Sequence, residues 1–446
     1  MKKYLMPLLL SLAFLSGLGA VSCNSHVSES DSLHLEQVTI FSRHGARVPL
    51  ASYEEDLSRV VGAGLTWPIW PVQGGHLSFR GATLEYVAGE NFRNEFLAEG
   101  LSLTPGDVYF CASPKQRTVQ TSEAFAAGLL AGAGVEVHYK GAKDFSDGYL
   151  DPEFLPLFDY TTAPDFDWDA FRAEALREMD EMAARVDWDE SYSFMENALA
   201  FKTSVYAREA GKEHFDKSVS FRVEKLTPAG KPAEPDVAAG CDLLLANRAS
   251  DAFVLQYYEQ DDYALKKYKL TENLNYADFQ RLAAIKDVEV DLVFTAPIVA
   301  VNISHNMLRM IKREMEAPGR KLTFMCAHDS SVASLLAALR VKPYQLDATT
   351  AIERKTPIGV KIVIEKWAEG REHYAKVYLA YYSTAQMRSG NPAELVGEAG
   401  RLQRQPLSFE GLSPAANGMY RYEDLMAHID RTLALYDKTA RGERPF

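Results

Sequence analysis

Val38-Thr39-Ile40-Phe41-Ser42-Arg43-His44-Gly45-Ala46-Arg47-Val48-Pro49 is the stretch from which the rest of the chain is read. A β-branched and aromatic run stops at a histidine set between two arginines, and a short apolar run bounded by turn residues reads as a buried strand entering a loop. A phosphate monoester is a dianion whose non-bridging oxygens need fixed cations, and guanidinium supplies a planar, permanently charged, bidentate fork. Arg43 and Arg47 fit that task. The neutral imidazole of His44 can attack phosphorus and carry it as a phosphohistidine, which divides one difficult hydrolysis into two displacements. Gly45 is expected to let the backbone come close to the ligand.

Two further apolar runs end in the same way, residues 108–112 before Ser113-Pro114 and residues 322–327 before His328-Asp329. In an open α/β sheet, ligands bind outside the carboxyl ends of the strands, so the three clusters are predicted to meet in one crevice. Arg117 falls near the start of a helical pattern over residues 115–130, where N–H groups and the helix dipole also favour an anion. His328 is expected to bind phosphate and Asp329 to protonate the leaving oxygen. An acid in that role must hold a proton, which burial and a neighbouring phosphate favour and the arginines oppose, so an acidic pH optimum is expected. Asp329 is equally placed to cap the helix that follows it.

Helical spacing recurs at residues 80–97, 332–339 and 422–435, and strand patterns at 360–366 and 374–382. Residues 141–288 have a different texture, with amphipathic stretches such as that beginning at Trp168 and a Pro/Gly-bearing loop near 227–235. The predicted fold is α/β: a mostly parallel, three-layer sheet domain built from residues 35–140 and 289–446, with a mainly helical cap at 141–288 inserted between its halves.

At 446 residues and 47% hydrophobic content the chain can bury a large core. Met1-Lys2-Lys3, an apolar run at 8–18 and Ala20-Val21-Ser22-Cys23 read as an export signal over residues 1–22, too short to span a bilayer as a mature helix. Small residues before Cys23 are similar to a lipobox, so cleavage ahead of Cys23 and its lipidation are expected, with residues 23–34 as a flexible tether and a lipid anchor as the only membrane contact. That places the protein in the periplasm or on the outer membrane, with display at the cell surface as a variant of the same reading. The net charge is −13, and removal of the leader takes Lys2 and Lys3 with it. Nucleic acid is excluded as a partner, and an anionic substrate requires positive charge concentrated in one cleft. Beyond Cys23 only Cys111, Cys241 and Cys326 remain; Cys111 and Cys326 sit in apolar runs as small core residues, and no obligatory disulfide is expected.

With the three clusters in view, the chain resembles the histidine acid phosphatase family, whose signature is RHGxRxP near the start and a His-Asp pair far downstream. The resemblance spans roughly residues 35–435. It continues through Trp70-Pro71-Val72-Gln73-Gly74-Gly75-His76-Leu77-Ser78, Asp251-Ala252-Phe253-Val254-Leu255-Gln256-Tyr257-Tyr258-Glu259 and Lys342-Pro343-Tyr344-Gln345-Leu346, which are similar to the bacterial periplasmic glucose-1-phosphatase branch. It implies His44 as nucleophile, Arg43, Arg47, Arg117 and His328 as phosphate ligands, Asp329 as proton donor, and neither metal nor cofactor. A cap glutamate touches the sugar in that branch, and Glu196, within Ser191-Tyr192-Ser193-Phe194-Met195-Glu196, is its expected counterpart. The chain departs from the branch in having Gly45 and in lacking its paired cysteines, which leaves room for a broader pocket. The implied function is a secreted acid phosphatase for sugar phosphates of the glucose 1-phosphate kind. The alternatives are a phytase acting on inositol phosphates and, lower in order, a non-catalytic lipoprotein that captures phosphorylated sugars.

Overall fold

The structure, a computed structural model, describes residues 32–446. The expected leader at 1–22, the lipidated Cys23 and the tether as far as residue 31 lie outside the described residues. No helix among the described residues is long and apolar enough to cross a membrane.

The strands, in chain order, are β1 His34–Arg43, β2 Val108–Ala112, β3 Val137–His138, β4 Phe221–Arg222, β5 Asp236–Val237, β6 Leu322–Ala327, β7 Lys361–Glu369, β8 Glu372–Tyr381, β9 Gln403–Pro406 and β10 Tyr420–Arg421. All but β4 and β5 form one sheet of order β10-β8-β7-β1-β6-β2-β3, with β9 on β8. The stretch β1-β6-β2-β3 is parallel, and the sheet continues antiparallel from β7 outward. β1 begins at His34, the last residue of the span 23–34 read as tether, so order starts one residue earlier than expected. Buried on both faces, β1 shows the near-continuous apolar run of a central strand.

Alternation along the strands separates two cores. Val38, Ile40, Phe110 and Phe324 pack with Leu84, Phe92 and Phe125 on one face, while Phe41, Cys111, Met325 and Ile362 pack with Leu308, Leu335 and Ile429 on the other. The first layer contains helices α1 Phe79–Ala98 and α2 Gln116–Leu129; the second contains α7 Pro297–Met315, α8 Asp329–Ala338 and α9 Tyr422–Ala434. Both faces are therefore covered, which is the three-layer α/β arrangement. Cys111 and Cys326 are buried on adjacent strands.

Between these halves the chain forms α3 Trp168–Ala183, α4 Trp188–Leu199, α5 Asp242–Glu259, α6 Tyr276–Phe294 and the small β4/β5 ribbon, and it adds no strand to the main sheet. The boundary drawn at 288 falls inside α6. That helix runs through it unbroken because Leu282, Ile285, Val290 and Val293 keep one apolar side facing the shared core.

The register sets the functional edge. Arg43 stands opposite Ala327, and Ala112 opposite Cys326, so β1, β6 and β2 end level. His44 then donates its N–H to the Ala327 carbonyl at 3.1 Å, Ser113 donates to Cys326 at 3.0 Å, and Gly359 donates to the His44 carbonyl at 3.0 Å. Beneath these loops lies a fully buried ion pair, Lys361 on Glu85 at 2.9 Å. It explains Gly45 differently from the sequence reading. A Cβ there would sit 2.9 Å from Glu85 Cγ and 3.2 Å from its Oε1, so the glycine admits the Glu85 side chain; that close approach replaces the approach to ligand expected of it. Substituting Lys361 by Met is expected to cost about 3–5 kcal/mol in denaturant unfolding, because Glu85 is left buried without its partner, and the loss should shrink at acidic pH as Glu85 takes a proton.

Candidate active site

Each sequence-predicted group except one arrives at the level strand ends. Arg43 is the last residue of β1, and His44 follows it; Arg117 is in the first turn of α2, after β2; His328 is the N-cap position of α8, after β6, and Asp329 its first helical residue. Asp329 is thus not the cap itself, although its Oδ1 accepts the N–H of Ser330 at 3.0 Å. His44, Arg47, Arg117, His328 and Asp329 all line one cavity of about 270 Å³, with Arg43 buried beside it.

The two imidazoles have opposite tautomers. His44 Nδ1 lies 2.9 Å from the Gly45 carbonyl, which only accepts, so Nδ1 carries the hydrogen and Nε2 keeps its lone pair. His328 Nδ1 lies 3.4 Å from Arg117 Nη2, which only donates, so its Nε2 carries the hydrogen, 3.4 Å from Ser113 Oγ. The rings stand edge to face with centroids 5.6 Å apart. Burial, and after it Arg117, Arg47 and Arg43, hold the His44 pKa well below the ordinary histidine value; burial and Arg117 do the same to His328. Both are neutral in mildly acidic solution.

The cations are held by acids the sequence did not single out. Arg43 donates to Glu353 at 3.0 Å and to the Thr356 carbonyl at 2.6 Å, and it meets Asp329 at 3.3 Å. Arg47 forks onto Asp251 at 3.0 and 3.2 Å. Lys286, on α6, bridges Asp251 at 3.1 Å and Asp329 at 2.7 Å. Burial alone would raise both carboxyls, but Arg47 and Lys286 hold Asp251 at about 2, and Lys286 and Arg43 hold Asp329 well below the usual carboxylate range. Arg117 has no carboxylate partner among the described residues, and burial and Arg47 lower its pKa to about 10. The Nε–H groups of Arg43, Arg47 and Arg117 are all buried without an acceptor among the described residues. Three orphaned guanidinium donors around a neutral imidazole call for an anion rich in oxygen.

The exception is Glu196. On α4 it spends one oxygen on the Phe215 N–H at 2.7 Å and the other on His214 at 2.9 Å, and it is absent from the cavity lining. The helix register turns it toward the 214–215 segment, so it braces the cap. Glu234, just ahead of β5, is the glutamate from the ribbon that does line the cavity, as does Glu289 from α6. Among the missed residues, Asp251 lies in a quoted stretch, and Lys286 and Glu289 share a face at i, i+3 spacing; no local pattern marks Glu353.

A cationic pocket with a neutral imidazole at the strand ends of an α/β sheet is the architecture of an enzyme acting on phosphate esters. The family model described as Histidine phosphatase superfamily (branch 2) matches residues 34–380. The glucose-1-phosphatase of Salmonella typhimurium strain LT2 is 31% identical over 422 residues, covering 92% of this chain and 95% of that protein. Phytase AppA of Escherichia coli K12 is 26% identical over 435 residues, covering 89% and 90%. The solved phytase of Citrobacter braakii superimposes with a TM-score of 0.75 at 22% identity, over 90% of this chain and 98% of that one. The chain belongs to branch 2 of the histidine phosphatase superfamily and is a phosphoric monoester hydrolase.

Because Arg117 is the guanidinium with no acid of its own, Arg117→Ala is expected to weaken inorganic phosphate binding about ten- to a hundredfold, the equivalent of roughly 1.5–3 kcal/mol for a lost charged hydrogen bond. Thermal shift at graded phosphate concentrations measures it; an undiminished phosphate shift would place the anion elsewhere.

Proposed function

We propose that the protein is an exported acid phosphatase that hydrolyses sugar phosphates of the glucose 1-phosphate kind through a phosphohistidine at His44. The observation that carries this reading is the His44 tautomer: Nδ1–H is fixed on the Gly45 carbonyl, leaving Nε2 as a free nucleophile beside guanidiniums with unused donors. In the first step Nε2 bonds to phosphorus and the P–O bond to the sugar breaks, while the departing oxygen takes a proton from Asp329. In the second, water attacks phosphorus, returns a proton to Asp329 and breaks the P–N bond, releasing phosphate and neutral His44. Arg43, Arg47, Arg117 and His328 Nε2–H bind the phosphoryl oxygens and stabilise the charge that builds on them.

Asp329 must gain its proton within this cycle. In the free protein Lys286 and Arg43 favour its ionised form. A bound phosphate dianion shares those cations and adds negative charge beside the carboxyl, so the acid form develops in the complex, most readily at low pH.

Overall likeness to the glucose-1-phosphatase supports the sugar-phosphate reading, and likeness to Phytase AppA supports inositol phosphate hydrolysis as the second. Glu234, which lines the cavity, takes the place expected of Glu196 as a glutamate from the middle region beside the substrate. Export and lipidation at Cys23 rest on residues 1–23 alone.

Phosphate release from glucose 1-phosphate, glucose 6-phosphate and phytate across the acidic range tests the reading, with preference for glucose 1-phosphate expected and preference for phytate favouring the second. His44→Ala is expected to abolish turnover with the fold intact; activity near the parent level sinks the mechanism. Asp329→Asn is expected to lower kcat/KM, which reads the first displacement alone, far more for glucose 1-phosphate than for p-nitrophenyl phosphate, whose leaving group scarcely needs a proton, and equal losses in kcat/KM would remove the acid role. Lys286→Met should raise the Asp329 pKa, keep the acid protonated to higher pH and move the alkaline limb of the kcat profile upward; a limb that stays put or moves down contradicts the link.

A further inference from the structure

Glu289 lines the cavity, is only 8% exposed, and makes no hydrogen bond or ion pair with any described residue. Its oxygens are not among the fully buried unpartnered polar atoms, so the carboxyl is open to the cavity and to what the cavity holds. It stands one helical turn beyond Lys286, which contacts Asp329, the proposed proton donor. The group nearest both Asp329 and Glu289 is therefore the departing alcohol. Val290 and Phe294 from the same helix, and Leu155, give the cavity apolar surface suited to the C–H face of a ring. On the side of Asp329 and Asp251 the lining cations, Lys286 and Arg47, are already paired with those acids, whereas the lining cations without an acid, Arg117 and Lys115, stand at the start of α2.

We propose that Glu289 is a specificity-determining residue that binds the leaving group, hydrogen-bonding a hydroxyl of a singly phosphorylated polyol. This rests on the phosphatase reading and adds to it the contact that recognises the alcohol. The charges around Glu289 fit the role. Burial raises its pKa to about 8; Lys286 opposes the rise, while Asp329 on α8, Asp236 on β5 and Asp251 on α5 add to it, and Tyr53 also lines the cavity. In acidic solution it is a neutral carboxyl that both donates and accepts, as a hydroxyl does.

The test is kcat/KM for glucose 1-phosphate and p-nitrophenyl phosphate in the parent protein, Glu289→Ala and Glu289→Gln. The aromatic substrate has no ring hydroxyl to bind, so the ratio between the two substrates isolates the contact. The ratio is expected to fall about tenfold in Glu289→Ala and to stay within about threefold of the parent in Glu289→Gln, whose amide also donates and accepts. An unchanged ratio in Glu289→Ala, or an equal fall in both variants, overturns the proposal. Parent turnover of p-nitrophenyl phosphate that requires His44 tests the phosphatase reading separately.

Discussion

Arg43 is a permanent charge buried to 1% exposure at the end of the central strand, and the surrounding residues are arranged to tolerate it. An isolated charge in that position would be prohibitive. Glu353 and Asp329 answer it, Lys286 shares Asp329, Asp251 shares Lys286, and Arg47 forks onto Asp251. The result is an alternating chain of acid and base across strand, cap helices and loop, so that removing any interior member exposes two neighbours. It also holds the phosphate-binding guanidiniums in place before a ligand arrives, which is the condition for electrostatic stabilisation without reorganisation. Arg117 stands outside the chain and is the cation most available to an incoming anion.

A second layer of charge supports the first. Glu85 and Lys361 pair beneath the Gly45 and Gly359 loops, where there is no room for a further Cβ at position 45. Thr121 Oγ1 accepts the Gly45 N–H at 2.9 Å and ties the same loop to α2, the helix that carries Arg117. Backbone position, helix position and guanidinium position are thereby coupled. The chemistry inherits this coupling in its pH behaviour: Arg43, which together with burial, Arg117 and Arg47 keeps His44 neutral, also joins Lys286 in holding Asp329 ionised in the free protein.

The strand-end clusters were legible in the sequence because each combines two local signals, an apolar run of strand length and a polar group at its carboxyl end. Parallel pairing of β1 with β6 and of β6 with β2 then brings them together with no further information. The partners were not legible for the complementary reason. Lys286, Asp251 and Glu353 act across sequence separations that no periodicity reports, and each resembles an ordinary helix or loop charge. Glu196 and Glu234 illustrate the limit. Both are single glutamates in the middle region, and only the path of the chain into β5 decides that Glu234 reaches the cavity while Glu196 binds the 214–215 backbone. Gly45 was legible as a glycine that must be small, but its neighbour was not, because Glu85 belongs to another element.

The most direct test is to quench turnover of labelled substrate in alkali, where a phosphohistidine survives, and to locate the added phosphoryl group by peptide mass spectrometry. One phosphoryl group is expected on the peptide containing His44, absent from His44→Ala and accumulating when Asp329 is replaced by Asn with a good leaving group. Label on His328, the imidazole whose centroid lies 5.6 Å away, or no covalent label during active turnover, would contradict it.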